Sequence, residues 1–577
     1  MRIAALGISG AASLAMMLGA AAHAAAPAEI GADIVLRNGK IVTVDEKFTI
    51  REAIAIRGDR ILAVGSDRQM LALAGPNARI VDLKGHTVVP GMIDGHHHFL
   101  SKSVDAYLGV DIALAQSIEE VKQKIAEKVA RTPPGELVYT TSGWLPAQFK
   151  ENRPPVAADL DPVSPNHPVV VQGGHSVYLN SYAMKQAGIT RDTPSPEGGV
   201  IEKDPRTGEP TGRLMENAAH LADRWPRGRA TPEEKLAALK EGQRKMNAAG
   251  LTGVREPGIS AADMRVFQQL HDSGEMTLRV SMNYSLDPSL SIEQLTTQLQ
   301  TWGVSTGFGD HMLRLDGIGE FGIDGGFEGA LMSEHYANAP GHEKAEEYFG
   351  LQRIPTEKFE QAIALMNRLN WRATIHTAGD KALDLVLDAY EKANRERPLA
   401  RKRWTVEHLL YTRPDQYQRI KDLGLVVSTQ FHGYMAGQDM INFWGAQRAA
   451  GSTAVRDWLD AGLLVGGGSD WSLLPADPFW MMYYFVTRDT RLWGVMGPEQ
   501  RVTREEALRM MTINNAYITM EEDVKGSLEP GKLADLVVLS KDYLSVPEAQ
   551  IKDIQVLATM VGGKVVFQRP AAAVTLQ

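Results

Sequence analysis

The stretch Val88-Val89-Pro90-Gly91-Met92-Ile93-Asp94-Gly95-His96-His97-His98-Phe99 places three consecutive histidines directly after an apolar run. The run from Thr87 to Ile93 has the composition of a short buried strand, interrupted by Pro90-Gly91. Side chains alternate between the faces of a strand, so His96 and His98 are expected on one side and His97 on the other. Two imidazoles on one face suit zinc and neighbouring first-row metals, and a surface histidine cluster is the alternative.

Length and composition limit the kind of protein this is. A chain of 577 residues predicts two or three domains, or one large domain with insertions. Its 44% hydrophobic and 23% charged residues are typical of a soluble globular protein. The net charge of -9 and pI of about 6.0 give no indication of nucleic-acid binding. With no cysteine in the sequence, metal ligands must come from His, Asp, Glu or Lys.

The first residues have the features of a secretion signal. Arg2 precedes a small-residue and apolar segment, Ala4 to Ala22, and Ala22-His23-Ala24 has the form of a cleavage site. We therefore expect residues 1–24 to be a cleaved signal peptide. The mature protein is expected in the periplasm or outside the cell, with no membrane association after cleavage.

Strand-rich segments occur at both ends of the chain. Two β-branched runs flank Asn38-Gly39, which predicts a hairpin between residues 32 and 44. Near the other end, Val556 to Met560 and Lys564 to Gln568 flank Gly562-Gly563 and predict a second hairpin. We expect residues 25–86 and 522–577 to form one small β domain together.

Between these ends, residues 87–521 alternate short apolar runs with longer amphipathic stretches, which predicts βα units and a parallel sheet. The predicted helices are Ile118 to Ala130, Pro232 to Ala249, Thr356 to Leu369 and Lys381 to Asn394. Several apolar runs end at a residue that can bind a metal, namely His376, His408 and Asp470, and Glu320 lies in a similar segment. The C-terminal ends of all strands of a parallel barrel lie on the same face, so these residues could converge there.

The joint pattern resembles the amidohydrolase superfamily of metal-dependent hydrolases, and within it the amidohydrolase-3 branch that includes N-substituted formamide deformylase-like proteins. The resemblance covers almost the whole mature chain. It rests on Asn38 to Ile41, Pro90 to His98, His175 with Leu179 to Ser181, Gly212 to Glu216, Ile375-His376 with Gly379 to Ala382, Glu407-His408, Gly468 to Trp471, Thr512 to Ala516 and Gly531 to Asp535. It implies an α/β fold, a distorted (β/α)8 TIM barrel with a small β-sandwich domain formed by both termini.

The resemblance also implies a ligand set for one or two divalent ions, and the ligand types make zinc the default. His96 and His98 would bind one ion, His376 and His408 a second, and Asp470 would be both a ligand and the acid/base group. Many relatives place a carboxylated lysine between the metals, and Glu320 stands at that position here. A glutamate can bridge two cations, so we expect Glu320 to be a ligand; a structural acid beside a mononuclear site is the alternative.

Two further histidines are candidates for catalysis, because His175 and His432 each follow an apolar, strand-like run. Either could polarise a carbonyl or hold an oxyanion, and a structural histidine is the alternative for both. A Pro- and Gly-rich insertion at about 131–229 is expected to supply loops at the mouth of the barrel. The aromatic candidates for a pocket wall are Trp144, Tyr336, Trp471 and Trp480.

The function expected from these features is an exported metal-dependent hydrolase that cleaves an amide-like C–N bond of a small molecule. Ester or lactone hydrolysis at the same centre is the enzymatic alternative, and a non-catalytic metal-binding scaffold is the alternative from another class. We expect a small-molecule substrate and no nucleic acid as partner, and a homo-oligomer stays open beside a monomer.

Overall fold

The computed structural model describes residues 31–113, 115–173, 176–223, 230–339, 344–470 and 476–576. The predicted signal peptide therefore lies outside the described residues. Within these ranges, no helix combines the length and the apolar character needed to cross a membrane.

The centre of the chain forms two four-stranded parallel sheets. Their strands are almost completely buried, as expected where both faces of a sheet are covered. The first sheet contains, in spatial order, Leu313–Ile318, Arg279–Tyr284, Leu251–Ile259 and Met92–Asp94. The second contains Thr374–Thr377, Thr405–His408, Val426–Gln430 and Val465–Gly468.

The two parallel sheets contact each other at both edges. At one edge Ile318 forms a parallel bridge with Ala373. At the other, the Gly95 N–H donates to the Gly467 carbonyl at 3.0 Å, and the Asp470 N–H donates to the His96 carbonyl at 2.8 Å. The eight strands follow one another in chain order around this arrangement, which is a TIM-barrel-like α/β fold.

Helices connect the parallel strands, and the four predicted helices are confirmed with ends shifted by at most two residues. The helix Pro232–Ala248 begins at a Thr231 capping box with Glu234 and buries Leu239 and Met246. The α-helices are Asp67–Leu71, Phe99–Leu108, Ile118–Val129, Ala157–Leu160, Ser181–Ala187, Pro232–Ala248, Ala261–Asp272, Ile292–Thr301, Thr356–Arg368, Asp380–Glu396, Pro414–Asp422, His432–Trp444, Ala446–Ala450, Val455–Asp460, Pro478–Thr487, Arg504–Met510 and Ile513–Ile518.

Two sheets built from both ends of the chain share an apolar core that includes Leu36, Ile56, Val88 and Leu536. The four-stranded sheet has the order Arg60–Gly65, Ala53–Arg57, Ala32–Arg37 and Ala74–Asp82. The six-stranded sheet has the order Lys564–Gln568, Val556–Val561, Leu536–Leu539, Thr87–Pro90, Lys40–Val42 and Ile50–Arg51. The hairpin predicted across Gly562-Gly563 is confirmed by the antiparallel pairing of its two strands.

The hairpin predicted across Asn38-Gly39 is wrong. The strand before it, Ala32–Arg37, pairs within the four-stranded sheet, whereas Lys40–Val42 pairs within the six-stranded sheet. Gly39 is packed so closely that an added Cβ would lie 2.4 Å from Leu83 Cδ1. The turn therefore serves as a corner between two sheets, because this lets both strands bury apolar side chains in the shared core.

The insertion predicted as long loops is a folded unit. Its five-stranded sheet has the order Gly199–Lys203, Pro210–Glu216, Ser176–Leu179, Val169–Gln172 and Val138–Tyr139. Val169, Val170 and Val171 are fully buried. This β-branched run forms a strand although the sequence around it is rich in Pro and Gly. A separate antiparallel pair joins Asp489–Thr490 with Gly494–Val495.

The apolar run before the histidines is divided between two sheets. Thr87–Pro90 belongs to the six-stranded terminal sheet, and Met92–Asp94 belongs to the first parallel sheet. Gly91 joins them in close contact with Thr252, where an added Cβ would lie 2.3 Å from the Thr252 Oγ1. The parallel strand ends at Asp94, so the histidines lie just beyond its C-terminal end.

Candidate metal centre

The structure brings the six predicted metal ligands together at the C-terminal ends of five parallel strands. Asp470 and Glu320 each lie two residues beyond a strand, and His376 and His408 lie within the last residues of theirs. His98 is the N-cap of the helix Phe99–Leu108. The full set is His96, His98, Glu320, His376, His408 and Asp470.

Glu320 occupies the middle of this cluster. Its Oε1 lies 2.7 Å from His376 Nδ1 and 2.5 Å from His408 Nε2. Its Oε2 lies 3.6 Å from His96 Nε2 and 3.8 Å from His98 Nε2. Each oxygen of the Glu320 carboxylate thus faces a different pair of imidazoles. A carboxylate in this position can bridge two cations.

Asp470 faces the first histidine pair from the other side. Its Oδ1 lies 3.3 Å from His98 Nε2 and 3.7 Å from His96 Nε2. Its Oδ2 lies 3.0 Å from His432 Nε2. Asp470 has a backbone φ of 44° and His408 a φ of 68°, a region that non-glycine residues seldom adopt. Such strain costs about 1–3 kcal/mol and concentrates at functional sites.

The surroundings of His96 test whether a cation fits. His96 is fully buried, and its Nδ1 lies 2.8 Å from the Glu407 Oε2. An imidazole that donates its Nδ1–H to a carboxylate presents a bare Nε2 as a metal ligand. That Nε2 is buried and has no hydrogen-bond partner within the described ranges. His96 forms two candidate ligand triads, with His98 and Glu320 and with His408 and Asp470, whose ligand atoms lie within 4.8 Å of one another. The donors fit a divalent ion.

Glu407 holds the His96 ring in place through a hydrogen bond, a role that the sequence did not predict. It accepts from Arg255 Nη1 at 2.6 Å, and Arg255 Nε donates to Asp316 at 2.7 Å. Asp316 also accepts from Arg372 Nη1 at 2.6 Å, and all four residues are buried. Burial alone would raise the pKa of Glu407, but Arg255 and His96 lower it to about 2. Glu407 therefore stays ionised and holds the His96 ring in place.

The ligand acids also stay ionised. Burial would raise the pKa of Glu320, but His408, His96 and His376 lower it well below its usual range. Burial opposes ionisation of Asp470 in the same way, and His432, His98 and His96 lower its pKa well below the usual range. Glu320 outweighs the effect of burial on His408 and raises its pKa to about 10. The cluster thus holds two carboxylates able to bind a cation.

His432, predicted as a catalytic candidate, lies beside Asp470. It is the first residue of the helix His432–Trp444, and burial lowers the pKa of its imidazole. A neutral His432 whose Nε2–H donates to Asp470 Oδ2 holds that carboxylate in a fixed orientation.

His97 lies away from the cluster, with Nδ1 2.9 Å from Ser469 Oγ and 3.1 Å from Asp94 Oδ2.

The structure describes three of the five remaining sequence candidates. His175 and Trp471 fall outside the described residues. Trp144 and Tyr336 are core residues: Trp144 stacks on Phe149, and the Tyr336 hydroxyl donates to the Ala330 carbonyl at 2.7 Å. Trp480 is half-buried against Tyr434.

Comparison with known proteins gives the same picture of fold and family. The model of the amidohydrolase family matches residues 79–567. N-substituted formamide deformylase of Arthrobacter pascens is 29% identical over 549 residues, covering 93% of this chain and 98% of that protein. An uncharacterized metal-dependent hydrolase from Pyrococcus furiosus superposes with a TM-score of 0.68 at 25% identity, covering 89% of this chain and 100% of that one.

A more distant structure shares the fold. Atrazine chlorohydrolase from Arthrobacter aurescens, in complex with zinc, has a TM-score of 0.53 at 15% identity and covers 94% of this chain and 97% of its own. The family model matches well over half of the sequence. The chain therefore belongs to the amidohydrolase family and is a metal-dependent hydrolase.

Proposed function

We propose that this hydrolase cleaves an amide-like C–N bond of a small molecule with a metal-activated water. The observation that supports this most directly is the His96 Nε2, a buried nitrogen without a hydrogen-bond partner among the described residues, facing two carboxylates at 3.6 and 3.7 Å. Burying a polar atom without a partner costs free energy, so this arrangement favours a ligand there.

The proposed ligands are His96, His98, Glu320, His376, His408 and Asp470. The position of Glu320 between two imidazole pairs favours two ions, and a mononuclear site is the alternative. Imidazole and carboxylate donors without thiolate make zinc our default. A divalent ion bound there lowers the pKa of a water and polarises a carbonyl.

Asp470 is the proposed acid/base group. Its Oδ1 faces the His96 and His98 pair, where it can accept a proton from the attacking water and pass it to the leaving nitrogen. Its Oδ2 is occupied by His432, which we assign as a positioning residue for Asp470 rather than an oxyanion donor. His175 remains a candidate for contact with the substrate carbonyl.

The wider organisation is part of the same proposal. We infer that the two parallel sheets are halves of one distorted (β/α)8 barrel, residues 87–521, and that the terminal sheets, residues 25–86 and 522–577, form a small β-sandwich. The contacts at both edges of the parallel sheets support the first inference. We also infer that residues 1–24 direct export to the periplasm or beyond and are cleaved, and both a monomer and a homo-oligomer fit this proposal.

The test combines metal analysis with one substitution. Purified protein is expected to contain one or two equivalents of a divalent ion and to hydrolyse at least one member of a panel of formamides, N-acyl amines, cyclic amides, esters and lactones. Asp470→Asn is expected to retain most of the metal and to lose about 10²–10⁴-fold in kcat, the usual contribution of acid–base catalysis. Asp272→Asn, on an exposed helix end, is the matched control.

Each outcome has a defined meaning. A folded, metal-free and inactive protein would support the scaffold alternative. Activity on esters or lactones alone would replace the amide substrate but retain the metal centre. An unchanged kcat for Asp470→Asn would remove its acid/base role.

A further inference from the structure

A cavity of about 610 Å³ opens on Glu320 and extends under the insertion. Asn217 and His220, from the insertion, line one wall, and Phe321 and Arg353 line the barrel side. A cavity of this volume accommodates a small-molecule ligand. Of the six residues of the ligand cluster, Glu320 is the one that lines this cavity, so a ligand in the cavity would meet the cluster at Glu320.

Arg353 is held close to the metal centre. Its backbone N–H donates to the Ile323 carbonyl at 2.8 Å, which ties it to the segment that follows Glu320. A Cβ added to Gly322 would lie 3.3 Å from Arg353 Nη1 and 3.4 Å from the His376 Cβ. The guanidinium and the His376 side chain thus flank the same glycine.

Arg353 is half-buried, and its guanidinium has no acidic partner among the described residues. Its Nε donates to the Asn217 Oδ1 at 3.3 Å, a contact supplied by the insertion. No carboxylate of the described residues lies within 4.0 Å of it. By contrast, Arg213 in the same insertion pairs with Glu202 and Glu328. Because the remaining N–H groups of Arg353 have no carboxylate acceptor among the described residues, they favour an anionic ligand.

The acids of this cavity do not fill that role. Glu197 and Asp287 are exposed at its rim. The Asp287 carboxylate accepts from the Ser289 N–H at 2.8 Å. Glu320 faces the imidazoles. The cavity therefore brings Glu320, a member of the cation-binding cluster, together with a guanidinium that has no carboxylate partner among the described residues, which favours a negative group bound beside Arg353.

We propose that Arg353 binds a carboxylate of the substrate, so that the preferred substrates are amides with a carboxylate a few bonds from the scissile C–N bond. This inference rests on the proposed function of the site. The planar guanidinium matches a carboxylate with two parallel hydrogen bonds, which gives both affinity and orientation. Asn217 positions the guanidinium, so the insertion acts as a specificity element.

The test uses two substrates that differ only in the carboxylate, N-formylphenylalanine and N-formylphenethylamine, with the metal-loaded full-length protein. The wild type is expected to prefer the acid by about 10- to 100-fold in kcat/KM, the size of a charge-assisted hydrogen-bonded pair. Arg353→Met is expected to reduce this preference to near unity, and Arg353→Lys to retain part of it. Arg395→Met, on the exposed face of the helix Asp380–Glu396, is the matched control and keeps the preference.

A binding measurement separates this inference from the proposed function. In the Asp470→Asn background, calorimetric titration with N-formylphenylalanine is expected to show binding that is at least tenfold weaker when Arg353→Met is added. If neither these substrates nor any other member of the panel turns over but this dependence is found, the hydrolase proposal fails and the anion site stands. If the wild type hydrolyses both substrates equally, or Arg353→Met lowers both equally, the anion site is overturned and the hydrolase proposal stands.

Discussion

Buried polar and charged groups are hydrogen-bonded to each other at the N-terminal end of the parallel strands, whereas one such group at the C-terminal end has no hydrogen-bond partner among the described residues. At the N-terminal end, Arg279 meets Asp535 with two hydrogen bonds of 2.7 and 2.8 Å, and Asp535 also accepts from the Gly562 N–H at 2.7 Å. At the C-terminal end, His96 Nε2 lies 3.6 and 3.7 Å from two carboxylates without a hydrogen bond. Groups that satisfy one another hold the fold together, whereas groups held just short of contact keep space for a ligand.

Positive φ angles at non-glycine residues occur at both ends of the parallel strands, since Arg403, two residues before Thr405–His408, has a φ of 52°. The strained residues His408 and Asp470 both belong to the C-terminal end, where their φ angles are positive. Arg279, in contrast, begins a regular strand whose residues are all buried. The strained residues at the C-terminal end belong to the candidate metal centre, whereas Arg279 belongs to a satisfied ion pair, so the two ends should respond differently to substitution.

The largest expected effect on stability comes from Arg279→Met. This change leaves Asp535 buried without its ion-pair partner, which costs about 3–5 kcal/mol and should lower the thermal midpoint by roughly 2–4 °C in a chain of this size. Differential scanning calorimetry measures the shift, and metal analysis should give the same metal content as the wild type. Arg37→Met, which removes the half-exposed Arg37–Asp82 pair, is the control and should cost less than about 1 kcal/mol. Loss of metal in Arg279→Met would contradict the proposal that the N-terminal end stabilises the fold without affecting metal binding at the C-terminal end.

Glu521, also at the N-terminal end, should make stability depend on pH. It is 1% exposed and contacts Lys525 Nζ at 2.5 Å and Arg314 Nη1 at 3.3 Å. Burial would raise its pKa, but Lys525 and Arg314 lower it to about 2. Because the folded pKa is lowered, the stabilisation is complete above the unfolded pKa of about 4.5 and is lost as pH falls towards 2. A difference of this size corresponds to about 3 kcal/mol.

The measurement compares thermal midpoints of the wild type and Glu521→Gln between pH 7 and pH 2. The variant is expected to be less stable at pH 7, and the difference should shrink between pH 4.5 and pH 2 as Glu521 becomes protonated. Glu347→Gln, at a pair whose partners are 60% and 67% exposed, is the control without such a trend. A constant difference across this range would contradict the role of Glu521.

The smallest expected effect, at the C-terminal end, comes from Glu407→Gln. A neutral amide is a weaker acceptor for the His96 Nδ1–H, and residues that orient metal ligands typically contribute 10- to 100-fold in metal affinity. Competition with a zinc chelator measures this affinity, and Glu360→Gln at a more exposed ion pair should leave it unchanged. Unchanged metal affinity in Glu407→Gln would place Glu407 with the structural ion pairs instead.

The sequence predicted the alternation of strands and helices because the amphipathic helices have a strong period and clear caps. It also predicted the six residues that the structure brings together, since metal-capable side chains at successive strand ends leave a pattern along the chain. It did not predict the corner at Asn38-Gly39, because local turn preference says nothing about which sheet each strand joins. The same limit applies to the insertion, where the run Val169 to Val171 was predicted as a strand but its place in a five-stranded sheet was not.

Glu407 was missed for a related reason. Alternation along the strand Thr405–His408 puts neighbouring side chains on opposite faces, so the presence of His408 in the cluster argued against Glu407. The positive φ of His408 breaks that alternation, and both side chains approach the same centre. Nor does any local pattern relate Arg255 to Asp316, because their contact depends on how the strands curve around one another.

The division of the run Thr87 to Ile93 between two sheets also sets the order in which the protein can assemble. Thr87–Pro90 pairs with Leu536–Leu539, and His86 contacts the Leu539 carbonyl, 453 positions further along the chain. The pairing of Thr87–Pro90 with Lys40–Val42 can form early, whereas its pairing with Leu536–Leu539 requires that nearly the whole polypeptide has emerged. Pairings at such separation form slowly, so we expect metal uptake at His96 and His98 to follow chain completion.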